Sequence, residues 1–231
     1  MKWVALFSMA SLAALAGCHG PRAVGTSETG SVEGTIFVWD DEAHTSKHPL
    51  DDAVVALTQY AGRVAEPSPA KRIVFTNDGF PSRTVTMTYG QRLDIVNASD
   101  RVLGPSFDQA PMPALMVAPP GGPNTQADPI SLHPPHAGYF TLRDRMGNDG
   151  VRLDVYVLLH PLHTVSTAGG RYRIDGVPSG TMTVNARVAS VGEAFATVQV
   201  AAGTVAITHA DLHLEYRPKI TRAPASARII P

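Results

Sequence analysis

Short apolar or alternating stretches recur along the chain between residues 32 and 214, and turn-forming residues separate them. The segment Thr84-Val85-Thr86-Met87-Thr88 alternates polar and apolar positions with the period of two that is typical of a β-strand. The segment Ala53-Val54-Val55-Ala56-Leu57 is a continuous apolar run of strand length. After the first 17 residues no helical periodicity extends beyond about three turns. The pattern therefore predicts an all-β protein.

The predicted strands share an apolar or alternating centre and are bounded by Gly, Pro, Asn or Asp. They cover residues 32–38, 53–57, 73–75, 84–88, 93–96, 139–142, 151–159, 172–174, 181–188, 194–200 and 205–214. Many short strands with turn residues between them are typical of β-sandwiches.

Residues 104–135 interrupt this pattern, because they are crowded with Pro and Gly and have almost no strand character. A loop of this length inside a compact domain is usually functional or disordered. We expect its apolar side chains to form a contact patch for a partner. The predicted partner-binding residues are Phe107, Met112, Leu115 and Met116.

The first residues have the pattern of a secretion signal. A short basic start precedes an apolar stretch at 4–16, which is too short to span a bilayer. It ends in Leu15-Ala16-Gly17-Cys18, which resembles the lipobox of bacterial lipoproteins. The resemblance implies that residues 1–17 are removed and that Cys18 carries a covalent lipid anchor. His19, rather than Asp, follows the cysteine, which by the same resemblance implies the outer membrane, with the protein facing the periplasm.

The ends of the mature chain are predicted to be flexible. Residues 18–31 are rich in Gly, Ser and Thr and are expected to form a tether. Residues 216–231 contain three prolines, scattered basic residues and little to bury, which indicates a tail. Cys18 is the only cysteine, so we expect no disulfide in the mature fold.

Composition argues against two classes of function. Lys and Arg total 19 against 20 Asp and Glu, and no basic run occurs. A nucleic-acid partner is therefore not expected, since phosphate binding needs a concentrated basic surface. The sequence also lacks the G-x-S-x-G, H-E-x-x-H and Gly-rich phosphate-loop patterns. We therefore predict that the protein is not an enzyme.

The run GGRYRIDGVPSG, residues 169–180, is one of three segments that resemble a known domain family. Together with VEGTI at 32–36 and PLDDAVVAL at 49–57, it resembles the carboxypeptidase regulatory-like domains, which are transthyretin-like sandwiches. The resemblance implies one sandwich in two halves, 32–63 and 160–215. In it the Gly pair turns a hairpin, Tyr172 and Ile174 point into the core, and Pro178 to Gly180 make the next reversal.

The residues between these halves, 64–159, resemble a plastocyanin-like cupredoxin. The run GQRLDIVNASD at 90–100 matches the family's central strand, and HPLHTVSTAGGRY at 160–172 matches the junction of bacterial proteins labelled plastocyanin-like or methylamine-utilisation-like. The resemblance implies two β-sandwiches, with a cupredoxin-like Greek-key sandwich nested in the transthyretin-like one.

The copper ligands of that family are not evident in the sequence. The family's first histidine ligand falls in the segment that corresponds to residues 100–107 of this chain. Its other ligands come from a Cys-x-x-His-x-x-Met loop that corresponds to residues 142–150. Neither segment of this chain contains Cys or His. A blue-copper centre needs two imidazoles and a thiolate, with a weak axial ligand. Only Met146 matches the axial position. We therefore expect a cupredoxin-like sandwich without a metal cofactor.

Several histidines remain as weak metal candidates. His133 and His136 lie in a Pro-rich loop, while His160 and His163 flank a strand crossover. We expect His160 to hydrogen-bond that crossover. His209 and His213 are predicted to be surface residues, because two histidines four residues apart on a strand do not chelate without a third partner.

The leading hypothesis is a non-catalytic, lipid-anchored envelope protein that binds or scaffolds an envelope protein or a glycan. The first alternative is a periplasmic copper-binding or electron-transfer protein that uses His and Met ligands. The second is a carbohydrate-binding module with an aromatic platform. Its candidate aromatic residues are Trp39, Tyr60, Tyr89 and Tyr139.

Overall fold

The computed structural model describes residues 29–58, 60, 69–108, 128–147, 151–189, 191–203 and 206–215. This part of the chain is all-β and contains no helix. No described segment is therefore a helix of the length and apolar character needed to cross a membrane. The predicted signal peptide, Cys18, most of the tether, Met112, Leu115, Met116 and the tail lie outside the described residues.

The strands are numbered in chain order. They are β1 (Thr29–Trp39), β2 (Lys47–Pro49), β3 (Val54–Thr58), β4 (Lys71–Phe75), β5 (Thr84–Thr88), β6 (Leu93–Asn97), β7 (Pro105–Phe107), β8 (Ile130–Leu132), β9 (Gly138–Asp144), β10 (Arg152–Leu158), β11 (His163–Val165), β12 (Arg171–Pro178), β13 (Gly180–Val188), β14 (Gly192–Val200), β15 (Ile207–His209) and β16 (Leu212–Leu214).

The first sandwich is built from strands at both ends of the chain. In one sheet β1 is central and pairs with β2, β12, β15 and β16, while the other sheet has the order β11-β3-β13-β14. Both sheets contribute to one buried core, for example Ile36 of β1 and Val55 of β3. Tyr172 and Ile174 point into this core with 5% and 3% exposure, which confirms their predicted orientation.

The second sandwich uses only the strands between β3 and β11. Its sheets have the orders β5-β10-β9-β7 and β4-β6-β8. Phe75, Met87 and Leu142 are among the side chains that fill the core between them. The pairs β4–β6 and β5–β10 are parallel, whereas the other pairs in these two sheets are antiparallel.

One sequence prediction about the turns needs correction. Gly169 and Gly170 make a turn, with φ values of 77° and 71°, but they do not join a hairpin. The strand before them, β11, pairs with β3, and the strand after them, β12, pairs with β1. The turn therefore carries the chain from one sheet to the other. The predicted reversal at Pro178–Gly180 is present, and it joins β12 and β13, which belong to different sheets.

The Pro-rich region 104–135 is less irregular than its composition indicates. It contains β7, which pairs with β9, and β8, which pairs with β6. The strand predicted at 205–214 is divided into β15 and β16, with Ala210 and Asp211 between them.

Candidate functional site

The two segments that the cupredoxin resemblance assigns to copper ligands lie side by side. The Arg145 N–H donates to the Gly104 carbonyl (2.9 Å), and the Gly104 N–H donates to Oδ1 of Asp144 (2.6 Å). The Arg145 side chain also donates to Oγ of Ser106 (2.8 Å). These hydrogen bonds join the two segments directly, through a carboxylate and backbone groups. The described parts of the two segments, 100–107 and 142–147, offer no imidazole or thiolate, so the residues present there do not fit a blue-copper centre.

Met146 lies beside this bridge but does not point into a core. It is 45% exposed, and its backbone N–H donates to Asp144 Oδ1 (3.2 Å). An exposed thioether is a poor axial ligand, because the weak axial bond requires a closed, dry site.

His133 and His136 are both exposed. His136 Nδ1 hydrogen-bonds to the neighbouring Ala137 carbonyl (2.8 Å), and its ring lies 4.9 Å from that of Phe140, measured between centroids. His136 therefore packs over the edge of the second sandwich. Among the described residues no group of three or more His, Cys, Asp or Glu side chains is arranged to hold a metal ion.

His160 is buried, and both ring nitrogens form hydrogen bonds. Nε2 donates to the Leu57 carbonyl (2.9 Å), and Nδ1 accepts the Leu162 N–H (3.2 Å). These bonds join the end of β3 to the chain that returns from β10, which is the kind of role that the sequence predicted for His160. Burial lowers the pKa of His160.

His163 lies on β11, where the two sandwiches meet. Its Nε2 is 3.1 Å from Oγ1 of Thr88 on β5. Burial, together with the charges of His160 and Lys71, lowers the pKa of His163 to about 4, so the ring is neutral at pH 7. Its buried Nδ1 has no hydrogen-bond partner in the described part of the chain.

Phe107 corrects the predicted contact patch. The side chain is 2% exposed and lies in the core of the second sandwich, with its ring centroid 5.3 Å from that of Phe140. Phe107 is therefore a packing residue and is not available to a partner. The other three residues of the predicted patch lie outside the described residues.

His213 corrects a second prediction, because it is not a free surface residue. Its ring stacks on Phe37 and Trp39, with centroid distances of 5.3 and 5.4 Å, and Trp39 also stacks on His44 at 4.7 Å. Lys47 lies over the Phe37 ring. Burial and the charge of Lys47 lower the pKa of His213. His209, in contrast, is exposed as predicted.

A cleft of about 800 Å³ lies between the sandwiches. Strands β4, β5 and β11 contribute to its walls, and each of the three is the edge strand of its sheet. The polar side chains in this cleft include Lys71, Thr88, Gln91 and His163.

A smaller cleft of about 530 Å³ adjoins the first, and Asp51, Asp52 and Thr84 line both. Tyr139, Arg152, Asp154 and Tyr156 line it from the second sandwich, and Val188, Ala189 and Val191 line it from the first. Of these residues, only Tyr139 is a binding candidate predicted from the sequence. The signal was present, since Arg152, Asp154 and Tyr156 alternate with core residues on one strand and therefore share a face.

Asp52 borders both clefts. Its carboxylate accepts hydrogen bonds from the Ser82 hydroxyl and from the Arg83 N–H (3.4 Å) of the second sandwich. The backbone of Asp52 has a φ of 59°, which is uncommon for a residue other than glycine. Such strain persists only where surrounding contacts hold it, and here those contacts join the two sandwiches.

None of the protein-family models matches this chain, and no curated protein matches it at a significant level.

Proposed function

We propose that the chain is a non-catalytic, lipid-anchored binding module of the bacterial cell envelope. In this proposal Cys18 attaches it to the outer membrane, facing the periplasm, and the ligand binds where the two sandwiches meet. The observation that carries the proposal is that both sandwiches contribute walls to the two clefts beside Asp52. Ligand sites occur preferentially at boundaries between domains.

The strand pairing supports the family assignment within this proposal. The core of the first sandwich draws on residues before 58 and after 161, and the core of the second draws on residues 75–157. This division is compatible with a cupredoxin-like sandwich inserted into a carboxypeptidase regulatory-like one. The mixture of parallel and antiparallel pairs in the second sandwich is compatible with a Greek key.

The hydrogen bonds between Gly104, Asp144 and Arg145 support a cupredoxin-like unit that binds no copper. A carboxylate that accepts the Gly104 N–H occupies the position where the resemblance places the ligand loop. A soft metal such as Cu(I) prefers thiolate and thioether ligands to a carboxylate. No observation on the described residues favours the copper-carrier alternative over a binding module.

Site-specific photo-crosslinking in the bacterial envelope tests the binding site. A photoreactive residue is placed at Lys71 in the larger cleft and at Arg83 in the smaller one. The matched control is Phe195 on β14, which is 59% exposed. We expect adducts from Lys71 or Arg83 that are absent from Phe195, and no stoichiometric copper in the purified full chain. Equal adducts from all three positions, or adducts from none, would contradict the proposal.

A further inference from the structure

We propose that the smaller cleft is a carbohydrate site, which takes a short oligosaccharide between Tyr139 and the loop after β13. This inference rests on the proposed function and names its ligand class. It differs from the aromatic platform expected from sequence, because the site is shared by the two sandwiches.

An aromatic surface lines part of the cleft. Tyr139 and Tyr156 are directly opposite each other on β9 and β10, with ring centroids 5.0 Å apart. Tyr139 is 36% exposed and Tyr156 only 8%, so the inner ring supports the outer one. Burial raises the pKa of Tyr156 to about 12, which keeps its hydroxyl protonated. A supported, half-exposed ring offers an apolar surface on which the C–H face of a sugar ring can stack.

The polar groups beside that ring form a fixed array. Tyr139 donates its hydroxyl proton to Asp154 Oδ1 (2.9 Å), and the Arg152 guanidinium donates to the same Oδ1 (3.0 Å) and to the Tyr139 oxygen (3.1 Å). Thr141 also donates to the Tyr139 oxygen (3.1 Å). All four side chains extend from neighbouring strands, so their positions are held by the sheet.

This array has both a donor and an acceptor to offer a ligand. The Arg152 side chain is 40% exposed, and the Asp154 side chain is 13% exposed. A guanidinium and a carboxylate side by side match the adjacent hydroxyl groups of a sugar, each of which donates and accepts. Charged partners make such hydrogen bonds stronger than neutral ones.

Both acidic and basic side chains line the cleft. Asp51, Asp52 and Asp154 are opposed by Arg83 and Arg152, and Asp51 and Asp52 already accept backbone N–H groups. The charges nearly balance, which disfavours a strongly anionic or cationic ligand. A neutral ligand rich in hydroxyl groups suits this balance.

A further wall of the cleft comes from the first sandwich. It is lined by Val188, Ala189 and Val191, and the Ala189 backbone hydrogen-bonds to the Tyr156 side chain. A sugar presents C–H groups on both faces of its ring, so one face meets Tyr139 and the other meets these small apolar side chains. The volume lies within the range of about 300–1,000 Å³ that is common for ligand sites.

The test uses the purified full chain in detergent and a fixed panel of chitotriose, cellotriose, maltotriose and mannotriose. Binding is measured by calorimetry and by tyrosine fluorescence. We expect at least one trisaccharide to bind and the Tyr139→Ala variant to bind it at least tenfold more weakly. Tyr139→Phe keeps the ring and should retain part of the affinity, while Asp154→Asn should lose affinity without losing the fold.

The matched control is Tyr89→Ala, which removes a tyrosine that is 51% exposed and does not line this cleft. It should bind as the unaltered chain does, and circular dichroism checks that every variant is folded. Absence of binding across the panel would overturn the inference, as would equal binding by Tyr139→Ala. In that case cleft-specific crosslinks from Lys71 or Arg83 would still support the proposed function, so the two failures are distinguishable.

Discussion

The two histidines that flank the turn after β10 differ in what their rings contact. His160 bonds to Leu57 and Leu162, whereas His163 bonds to Thr88 and leaves Nδ1 buried without a partner in the described residues. Leu57 and Thr88 lie 103 and 75 residues away from these histidines along the chain. The spacing of the histidines in sequence therefore predicts neither contact, because both depend on how distant strands pack.

The lowered pKa of His163 predicts a pH dependence of stability. The pKa is about 4 in the folded protein and near 6.5 in the unfolded chain, so protonation favours the unfolded chain. The stabilisation is complete above about pH 6.5 and is lost as the pH falls towards 4. Between pH 7.5 and pH 5 this histidine should reduce the free energy of unfolding by about 2 kcal/mol. Urea denaturation at several pH values measures the change.

The control for this prediction is His163→Gln, which keeps a hydrogen-bonding side chain opposite Thr88 but does not titrate. Over the same pH interval, the free energy of unfolding of this variant should fall by about 2 kcal/mol less than that of the unaltered chain. His160 and His213 also have lowered pKa values, and their contribution is common to both proteins. Identical pH profiles for the two proteins would show that His163 is not buried as described.

At the scale of the strands, the sequence predicts the longer elements well. The alternating segment 84–88 coincides with β5, and the predicted segments at 181–188 and 194–200 lie within β13 and β14. The strands that were missed are β2, β7, β8 and β11, each of three residues. The predicted three-residue segments at 73–75 and 172–174 belong to the longer strands β4 and β12. The four missed strands are short throughout, so pairing with a partner strand identifies them better than a period of two does.

Periodicity also does not indicate whether the polar face of a strand meets water or another sheet. On β5, Val85 and Met87 point into the second core, while Thr84, Thr86 and Thr88 are buried on the opposite face. That face meets the first sandwich, where Thr88 contacts His163. A strand with one face in water has the same pattern, so the junction and its clefts were not predictable from sequence.

The close approach of β1 to the chain before β16 predicts the effect of one substitution. A Cβ atom at Gly34 would overlap the Ala210 carbonyl oxygen, which also accepts the buried Tyr172 hydroxyl at 2.6 Å. Gly34→Ala should therefore lower the free energy of unfolding by about 3 kcal/mol. Chemical denaturation measures this loss.

Gly90→Ala is the matched control for this substitution. Gly90 has a φ of 89°, but apart from its two chain neighbours no atom of the described residues lies within 4 Å of the position that an added methyl group would occupy, so only backbone strain is introduced. The expected cost is about 1 kcal/mol. If Gly34→Ala costs no more than Gly90→Ala, β1 and residue 210 are not in the close contact described.

At the scale of the whole molecule, the chain leaves the first sandwich and returns to it at nearly the same point. The Leu57 N–H donates to the Leu162 carbonyl (3.1 Å), and the rings of Tyr60 and His160 lie 5.4 Å apart. The strands on either side of this point, β3 and β11, pair directly. The first sandwich therefore closes on itself without needing the strands between them.

This closure predicts that the middle of the chain can be removed. A variant of residues 19–231 in which four Gly and Ser residues replace 61–159 should fold, because Tyr60 and His160 are already adjacent. Trp39, the only tryptophan after Trp3, reports on its fold by fluorescence. The variant loses the contacts of β5 with β3 and β11. If the loss of these contacts lowers the free energy of unfolding by about 1 kcal/mol, Tm should fall by about 4–8 °C for a domain of this size.

The control for folding is the same shortened chain ended at residue 199. It lacks β16 and with it the core residues Leu212 and Leu214, so it should show no cooperative thermal transition. A cooperative transition of the shortened chain, absent from this control, would support an insertion of one sandwich into another. If neither chain melts cooperatively, the first sandwich depends on the middle segment, and the two cores form a single folding unit.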